Sequence, residues 1–503
     1  MRKKKIAINA LAGLVLQCLM IIYGFAFPRL VMSVYGSSVN GVLQSIAQFL
    51  SYISLLDAGV SAVIRAKFYK PLAEGDAPKV QTILNSAKSF YKKIGIIFLI
   101  YSIGVAIALP FTLKEDFDYF FTFFLVLIIG ASTFAEYFIG ISYQVLLEAD
   151  QRKYIAFFVQ AVVVFLNTVL SVILIRSGCS IHLVKIVAAV LFVARPVVIS
   201  IYCWRRYGFE KGVKGKEPID NKWAGMGHHF AYFLHTHTDI VLLTFAKGPL
   251  IVSVYSVYNM VVTALRQVLT YLTGGIEAAF GNMLAKDERE NVRKGLELYE
   301  LLIYSSTAIF FSTAAVTIID FVSIYTKGVT DVNYIEPIGA ILLIFAEAMY
   351  CIRKPYESLV MASGRLKETM KGAFVEAILN IVISIALVFR FSIVGVAIGT
   401  LVAMSFRTVQ YSFYVSKKIV NRNAYIFFYK FLSYVIVSFI IYGIFRIVPM
   451  FTPMSYLQWA IKATIVFGSS TIIIIIFDIV LFKKDAFTLV KMIRELFQRK
   501  RTK

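Results

Sequence analysis

The sequence predicts an all-α polytopic membrane protein. It would have about fourteen transmembrane helices, arranged as two parallel-repeat six-helix bundles plus two C-terminal helices. Three observations predict this. Hydrophobic residues make up 59% of the 503-residue chain and charged residues only 16%, against about 25% in soluble domains. Apolar runs of about 20 residues recur from one end to the other. Residue pairs also repeat at a spacing of about 212 positions.

The chain starts Met1-Arg2-Lys3-Lys4-Lys5 and turns apolar at once. The run continues to about Tyr35, past the roughly 7–15-residue core of a signal peptide, and has no small-x-small cleavage site. It reads as a retained first span. Further spans are expected near 39–64, 91–113, 118–147, 154–175, 181–204, 223–246 and 250–272. Six more follow near 296–325, 335–361, 369–389, 392–415, 424–448 and 457–482.

With a cytoplasmic N-terminus, the gaps on that side carry roughly 35 Lys and Arg, and the opposite gaps about five. A missed span would scramble that alternation. Both termini are therefore expected on the cytoplasmic side of the membrane. Val80, Ile83, Leu84, Ala87 and Phe90 have helical spacing among lysines and read as an interfacial helix. The tail, with Phe487, Val490, Ile493, Leu496 and Phe497 before Arg499-Lys500-Arg501, reads as a basic amphipathic segment resting on lipid.

The net charge of +23 does not indicate nucleic acid, because the cations sit in short gaps between spans rather than on a soluble basic face. Cys18, Cys179, Cys203 and Cys351 are scattered without CxxC spacing and read as packing residues. No cofactor or metal motif is present, and no glycine-rich nucleotide loop.

Phe134-Ala135-Glu136 recurs as Phe345-Ala346-Glu347, and Asn167 with Ser171 recurs as Asn380 with Ser384. Arg195, Ser200 and Tyr202 recur as Arg407, Ser412 and Tyr414, and Leu72-Ala73 as Leu284-Ala285. Six spans separate the copies, and an even number preserves orientation, so the repeats are parallel. The expected organisation is a bundle over 1–210, a second over 211–420, two helices over 421–483, and a tail over 484–503. Paired bundles of this kind are a common secondary-transporter plan, worked by alternating access.

Several cations lie inside apolar runs: Arg29, Arg195, Arg266, Arg353 with Lys354, and Arg407. A cation near a bilayer centre costs roughly 2.5–3.5 kcal/mol on insertion scales and is usually kept only where it faces protein or a wet cavity. Arg195 and Arg407 are repeat mates and so read as shared architecture. Arg266, Arg353, Lys354 and Arg29 break the symmetry and are the candidates for contacting an anionic substrate.

His228, Tyr232, His235 and Asp239 fall on one stripe of span seven and are candidate polar cavity-lining residues. Asp57, Glu136 and Glu347, with Arg195 and Arg407, are candidates for ion coupling or for structural pairing.

The first two spans contain Pro28-Arg29-Leu30, Tyr35-Gly36, Asn40-Gly41 and Leu55-Leu56-Asp57-Ala58-Gly59-Val60-Ser61-Ala62, closing on Arg65. Span seven adds Thr238-Asp239-Ile240-Val241-Leu242, followed by Val252-Ser253-Val254-Tyr255-Ser256. In these segments the chain resembles bacterial polysaccharide-biosynthesis (Wzx-like) oligosaccharide flippases of the MATE/MOP superfamily. Gly36-Ser37-Ser38 departs from the acidic or proline residues expected in that turn.

The resemblance implies transfer of a polyprenyl-pyrophosphate-linked oligosaccharide from the inner to the outer leaflet, for cell-surface polysaccharide export. Its implied partners are that lipid, membrane lipids and glycan polymerase machinery. Lipid II flipping is the neighbouring alternative. A MATE-type cation antiporter fits less well with cations in the spans. A membrane-embedded glycosyl polymerase or ligase would be expected to present a large external loop, and no gap is long enough for one.

Overall fold

The computed structural model describes residues 2–57, 59–113, 116–210, 215, 226–272, 275–448, 450–489 and 491. The regular secondary structure among those residues is all helical, with no strand. The first helices are α1 (Arg2–Tyr35), α2 (Ser37–Ser51), α3 (Val60–Glu74) and α4 (Ala77–Thr112). After them come α5 (Tyr119–Ala135), α6 (Ile141–Ala149), α7 (Lys153–Arg176) and α8 (Ile181–Tyr207). The second half contains α9 (Met226–Leu272), α10 (Ile276–Ala285), α11 (Arg289–Tyr325) and α12 (Pro337–Ile352). It closes with α13 (Lys354–Ala362), α14 (Leu366–Lys418), α15 (Tyr425–Ile447) and α16 (Tyr456–Leu481).

Eleven helices are long and apolar enough to cross a membrane. Two of them, α9 and α14, are each a pair of helices joined at one non-helical residue, Gly248 and Ser392 respectively. Another span, α12 with α13, is interrupted at Arg353, next to the helix-breaking Pro355. Counting these separately accounts for all fourteen expected segments.

Local sequence explains where the helices start and stop. Asp76, Asp118, Ser180 and Ser455 cap α4, α5, α8 and α16 by accepting from backbone N–H groups of the first turn. Gly36 (φ 88°, ψ 167°) and Gly248 (φ 77°, ψ 178°) turn the chain between spans in almost the same conformation, one open essentially only to glycine. They are 212 residues apart, the step of the sequence repeat. Gly59 and Gly275 share a second left-handed conformation, just before the repeat-related helices α3 and α10.

The chain divides into two compact units. Unit 1 comprises Met1–Phe233 with Leu243–Ser253, and unit 2 comprises Leu234–Leu242 with Val254–Lys503.

In unit 1, α4 is one continuous 36-residue helix. Its first turns do not lie on the membrane surface as expected. Val80, Ile83, Leu84 and Ala87 are buried in the core of the unit, because their apolar face meets other helices rather than lipid. Between α5 and α6, residues Glu136–Gly140 form a π-helical turn. A Cβ on Gly140 would collide with Glu136 and Pro196, so glycine lets the acid fold back along its own helix.

α1 packs on α7. Gly13 lies against Phe157, and Asn9 accepts from the Tyr154 backbone N–H and donates to the Gln151 carbonyl. The rest of α1 is largely exposed, with only 6% of its most apolar stretch buried.

In unit 2, α11 packs against α12, α15 and α16. Glu300 on α11 is fully buried and binds both Arg422 and Lys430, which ties the start of α15 to the bundle. Ser305 and Tyr434 both donate to Asp478 on α16, at 2.6 Å each. The halves of α14 approach closely at Gly395 and Gly399. A Cβ at Gly395 would overlap the Leu387 carbonyl, and one at Gly399 would overlap the Ser384 hydroxyl. The basic amphipathic tail lies largely outside the described residues.

Candidate functional site

Unit 2 gathers most of the charge-bearing residues singled out by the sequence. Arg266 Nη1 donates to Glu347 Oε1 at 3.1 Å. Arg353 Nη1 donates to Glu376 Oε1 at 2.6 Å, and Arg407 Nε lies 3.5 Å from the other oxygen of the same carboxylate. Lys354 Nζ donates to Glu357 at 2.8 Å. Arg353 and Arg407 are 2% and 1% exposed, so this is interior charge and not snorkelling.

One ring organises the cluster. Tyr350 lies one turn after Glu347 and one turn before Lys354 on a single face of the broken span. Its centroid is 5.0 Å from the Arg266 guanidinium, 4.4 Å from Arg353 and 4.6 Å from the Lys354 ammonium. The electron-rich ring face favours cations where water is scarce. Four cations (Arg266, Arg353, Lys354, Arg407) meet three carboxylates (Glu347, Glu376, Glu357), leaving a formal excess of one positive charge. The substrate candidates are thus held by acids, and the cluster as a whole stays cationic.

A second group adjoins it. Asp239 Oδ2 accepts from Tyr255 Oη and from Thr400 Oγ1, both at 2.9 Å. Asn380 Nδ2 donates to Thr400 Oγ1 at 3.1 Å, and Ser384 Oγ donates to the Val396 carbonyl at 3.5 Å. The glycine crossing in α14 brings these two stretches together. Asp239 Oδ1, Asn380 Oδ1 and Glu347 Oε2 are buried without a hydrogen-bond partner among the described residues. A buried unsatisfied acceptor is costly, and a hard monovalent cation or a proton satisfies an oxygen set of this kind. Tyr255 interacts with Asp239, Glu347 and Arg266 together, so the oxygen group and the cationic cluster are electrostatically joined.

The other candidates are placed differently. Glu136 pairs with Arg195, supported by Gln144 and Gln160, in the π-turn region of unit 1. In unit 2 the repeat mates Glu347 and Arg407 take other partners, so the shared residues do not make a shared pair. Asp57 accepts from Ser61, whose hydroxyl meets Tyr91 at 2.8 Å. Arg29 is in α1 and belongs to unit 1, whereas the Tyr350 cluster belongs to unit 2; Arg65 pairs with Glu148 at 2.9 Å. The side chains of His228, Tyr232 and His235 lie outside the described residues, and the Arg266 charge acts on the neighbouring His237. No group of His, Cys, Asp and Glu among the described residues has metal-site geometry, and the four cysteines are free.

Comparison with solved structures shows the fold. The chain is similar to a lipid II flippase, MurJ, in an inward closed conformation (TM-score 0.70, 13% identity, 94% of this chain and 98% of that one). It is also similar to an inward-facing multidrug resistance MATE family transporter of the MOP superfamily (TM-score 0.57, 12% identity, 81% and 98%). A third similarity is to a point mutant of the Vibrio cholerae MATE transporter VcmN (TM-score 0.53, 14% identity, 84% and 100%).

The chain shares the polytopic all-helical fold of these structures. No protein-family model matches the sequence, and no curated protein does.

Sequence reading missed Tyr350, Glu357, Thr400 and the Glu300 group. Tyr350 had a signal, lying midway between two charged residues at helical spacing. Glu300 had none, since at the edge of a span an acid reads as solvated.

Proposed function

We propose that the protein is a flippase that moves a polyprenyl-pyrophosphate-linked oligosaccharide from the inner to the outer leaflet of a bacterial plasma membrane by alternating access. The observation that carries this reading is the net-cationic cluster on Tyr350, built inside a membrane-spanning unit. A diphosphate head is the lipid chemistry that such a cluster suits: bidentate guanidinium groups bind phosphate oxygens, and each arginine is already oriented by a carboxylate. An organic cation would be repelled, which disfavours a MATE-type antiporter. Solved structures of the same fold are transporters and flippases, which agrees with a protein that moves its substrate without altering it.

The remaining parts fit the same task. An apolar cavity of about 370 Å³ lies among α11, α12, α14 and α15, lined by Phe311, Phe345, Met349, Leu401 and Phe431 among others. It shares α12 with the cationic cluster and suits an isoprenoid chain. The Asp239 oxygen group is the place for a coupling cation, Na⁺ or H⁺. Filling it neutralises a negative charge beside Glu347 and so changes the field on Arg266. Outward movement of the anionic head is favoured by an inside-negative potential, by about 2.3 kcal/mol per charge per 100 mV.

Lipid II flipping uses the same head-group chemistry and is the second reading, favoured by the fold similarity to a lipid II flippase. The deciding experiment is a deletion strain. Accumulation of lipid-linked oligosaccharide in the inner leaflet, relieved by the wild-type chain but not by Arg266→Ala or Arg353→Ala, supports the reading. Accumulation of lipid II supports the second. Full relief by both arginine variants rejects the cationic cluster as the substrate site.

A further inference from the structure

Unit 1 contains an intramembrane cation that none of the pairs above uses. Lys185 is four residues from the start of α8, and its ammonium lies 4.2 Å from the centroid of Phe27. Among the described residues no carboxylate, hydroxyl or carbonyl reaches it. Snorkelling would carry the amine toward the near end of its helix. It is held deeper instead, because Phe27 lies eight residues from the end of α1, roughly 12 Å along the axis.

The repeat shows what this position corresponds to. The step of 212 that relates Gly36 to Gly248 also relates Phe27 to Asp239. Asn167 and Ser171 are the mates of Asn380 and Ser384, and α8 is the mate of the half of α14 that carries Thr400. The two units thus build the same corner from corresponding helices, with opposite polarity. Unit 2 presents a carboxylate and an unsatisfied amide oxygen, Asn380 Oδ1. Unit 1 presents an ammonium and the amide of Asn167, whose Oδ1 accepts from Ser171 at 3.5 Å and whose Nδ2 faces the Tyr23 hydroxyl without a well-aligned hydrogen bond. Asn167 is 1% exposed and lies beside the hydroxyl of Tyr23, whose ring stacks on Phe27 at 5.2 Å.

We propose that unit 1 holds an anion-binding site formed by the Lys185 ammonium and the Asn167 amide against Tyr23 and Phe27, the reversed-charge counterpart of the Asp239 group. Its ligand is a small anion, either a halide or a phosphate oxygen. A membrane-embedded ammonium with three donors and no acceptor among the described residues is completed by such a ligand.

The test uses the full-length protein purified in detergent and heated at fixed sodium concentration and ionic strength. Gluconate is replaced stepwise by chloride, inorganic phosphate or pyrophosphate. The expected result is a saturable rise in the unfolding midpoint of roughly 3 °C, lost in Lys185→Met and kept in Lys185→Arg. A response to chloride marks a halide site, and a response to the phosphates alone marks a site for a phosphoryl group. No response in the wild type, or equal responses in wild type and Lys185→Met, overturns the proposal.

If Lys185→Met does not fold, Asn167→Asp decides, since its carboxylate sits in the site and should abolish the response at an unchanged or higher midpoint. A retained response there overturns the proposal. Arg266→Ala must leave the response intact. Its loss in that variant would assign the effect to the cationic cluster of unit 2 and overturn the unit 1 site.

Discussion

Glu376 neutralises two buried arginines at once, so the three members of that triad are not equivalent. Removing Arg353 leaves Glu376 paired with Arg407, whereas removing the carboxylate leaves two interior cations without their acid. Glu376→Gln is therefore expected to cost about 3–5 kcal/mol and Arg353→Met distinctly less. Unfolding midpoints in detergent check the order, and a milder Glu376→Gln would refute the shared-acid description. At the oxygen group, Asp239→Asn should remove the dependence of stability and transport on Na⁺ or H⁺, measured at constant ionic strength.

The sequence exposed the cations of this site but not their partners. Arg266 stands out in an apolar run by composition alone. Its pairing with Glu347 depends on how two helices 81 residues apart in sequence meet. The repeat made Arg195 and Arg407 look alike, yet the structure gives one Glu136, at a π-turn in unit 1, and the other Glu376.

At the level of helices, the closest packing is set by absent side chains. Gly395 and Gly399 let the two halves of α14 touch backbone to backbone, which positions Asn380 and Ser384 opposite Val396 and Thr400. Gly395→Ala must push the Leu387 backbone aside and is expected to destabilise by about 1–3 kcal/mol, with Na⁺ or H⁺ dependence weakened as well. A change in stability with cation dependence intact would show that the crossing does not position the oxygen group.

Asp76, Asp118, Ser180 and Ser455 mark where four helices begin. What the first turns of α4 face was not legible. An apolar stripe among lysines looks the same whether it faces lipid or protein, and here it faces the core of unit 1. Arg422 lies between the expected spans 392–415 and 424–448, where an arginine reads as solvated, but it is 7% exposed and serves to fasten α15 through Glu300.

For the whole chain, span count and repeat were legible because both are carried by long-range pattern rather than by contacts. The eleven long apolar helices, two of them double, follow directly from the distribution of hydrophobic residues. Orientation rests on charge asymmetry and can be tested by cysteine labelling in intact cells. Lys327→Cys should react with an impermeant maleimide, and Arg365→Cys only after permeabilisation. The reverse pattern would invert the topology and with it the direction of transport proposed above.

The sparse packing of α1 also bears on the order of events during synthesis. Its main described partner, α7, begins about 120 residues after α1 ends, so at 5–20 residues per second the ribosome needs roughly 6 to 24 seconds to deliver it. Through that interval α1 must survive in lipid without α7, with α2 as its described neighbour. A surface of Leu11, Leu14, Val15 and Ile22 that remains lipid-facing in the finished protein is what allows it to wait.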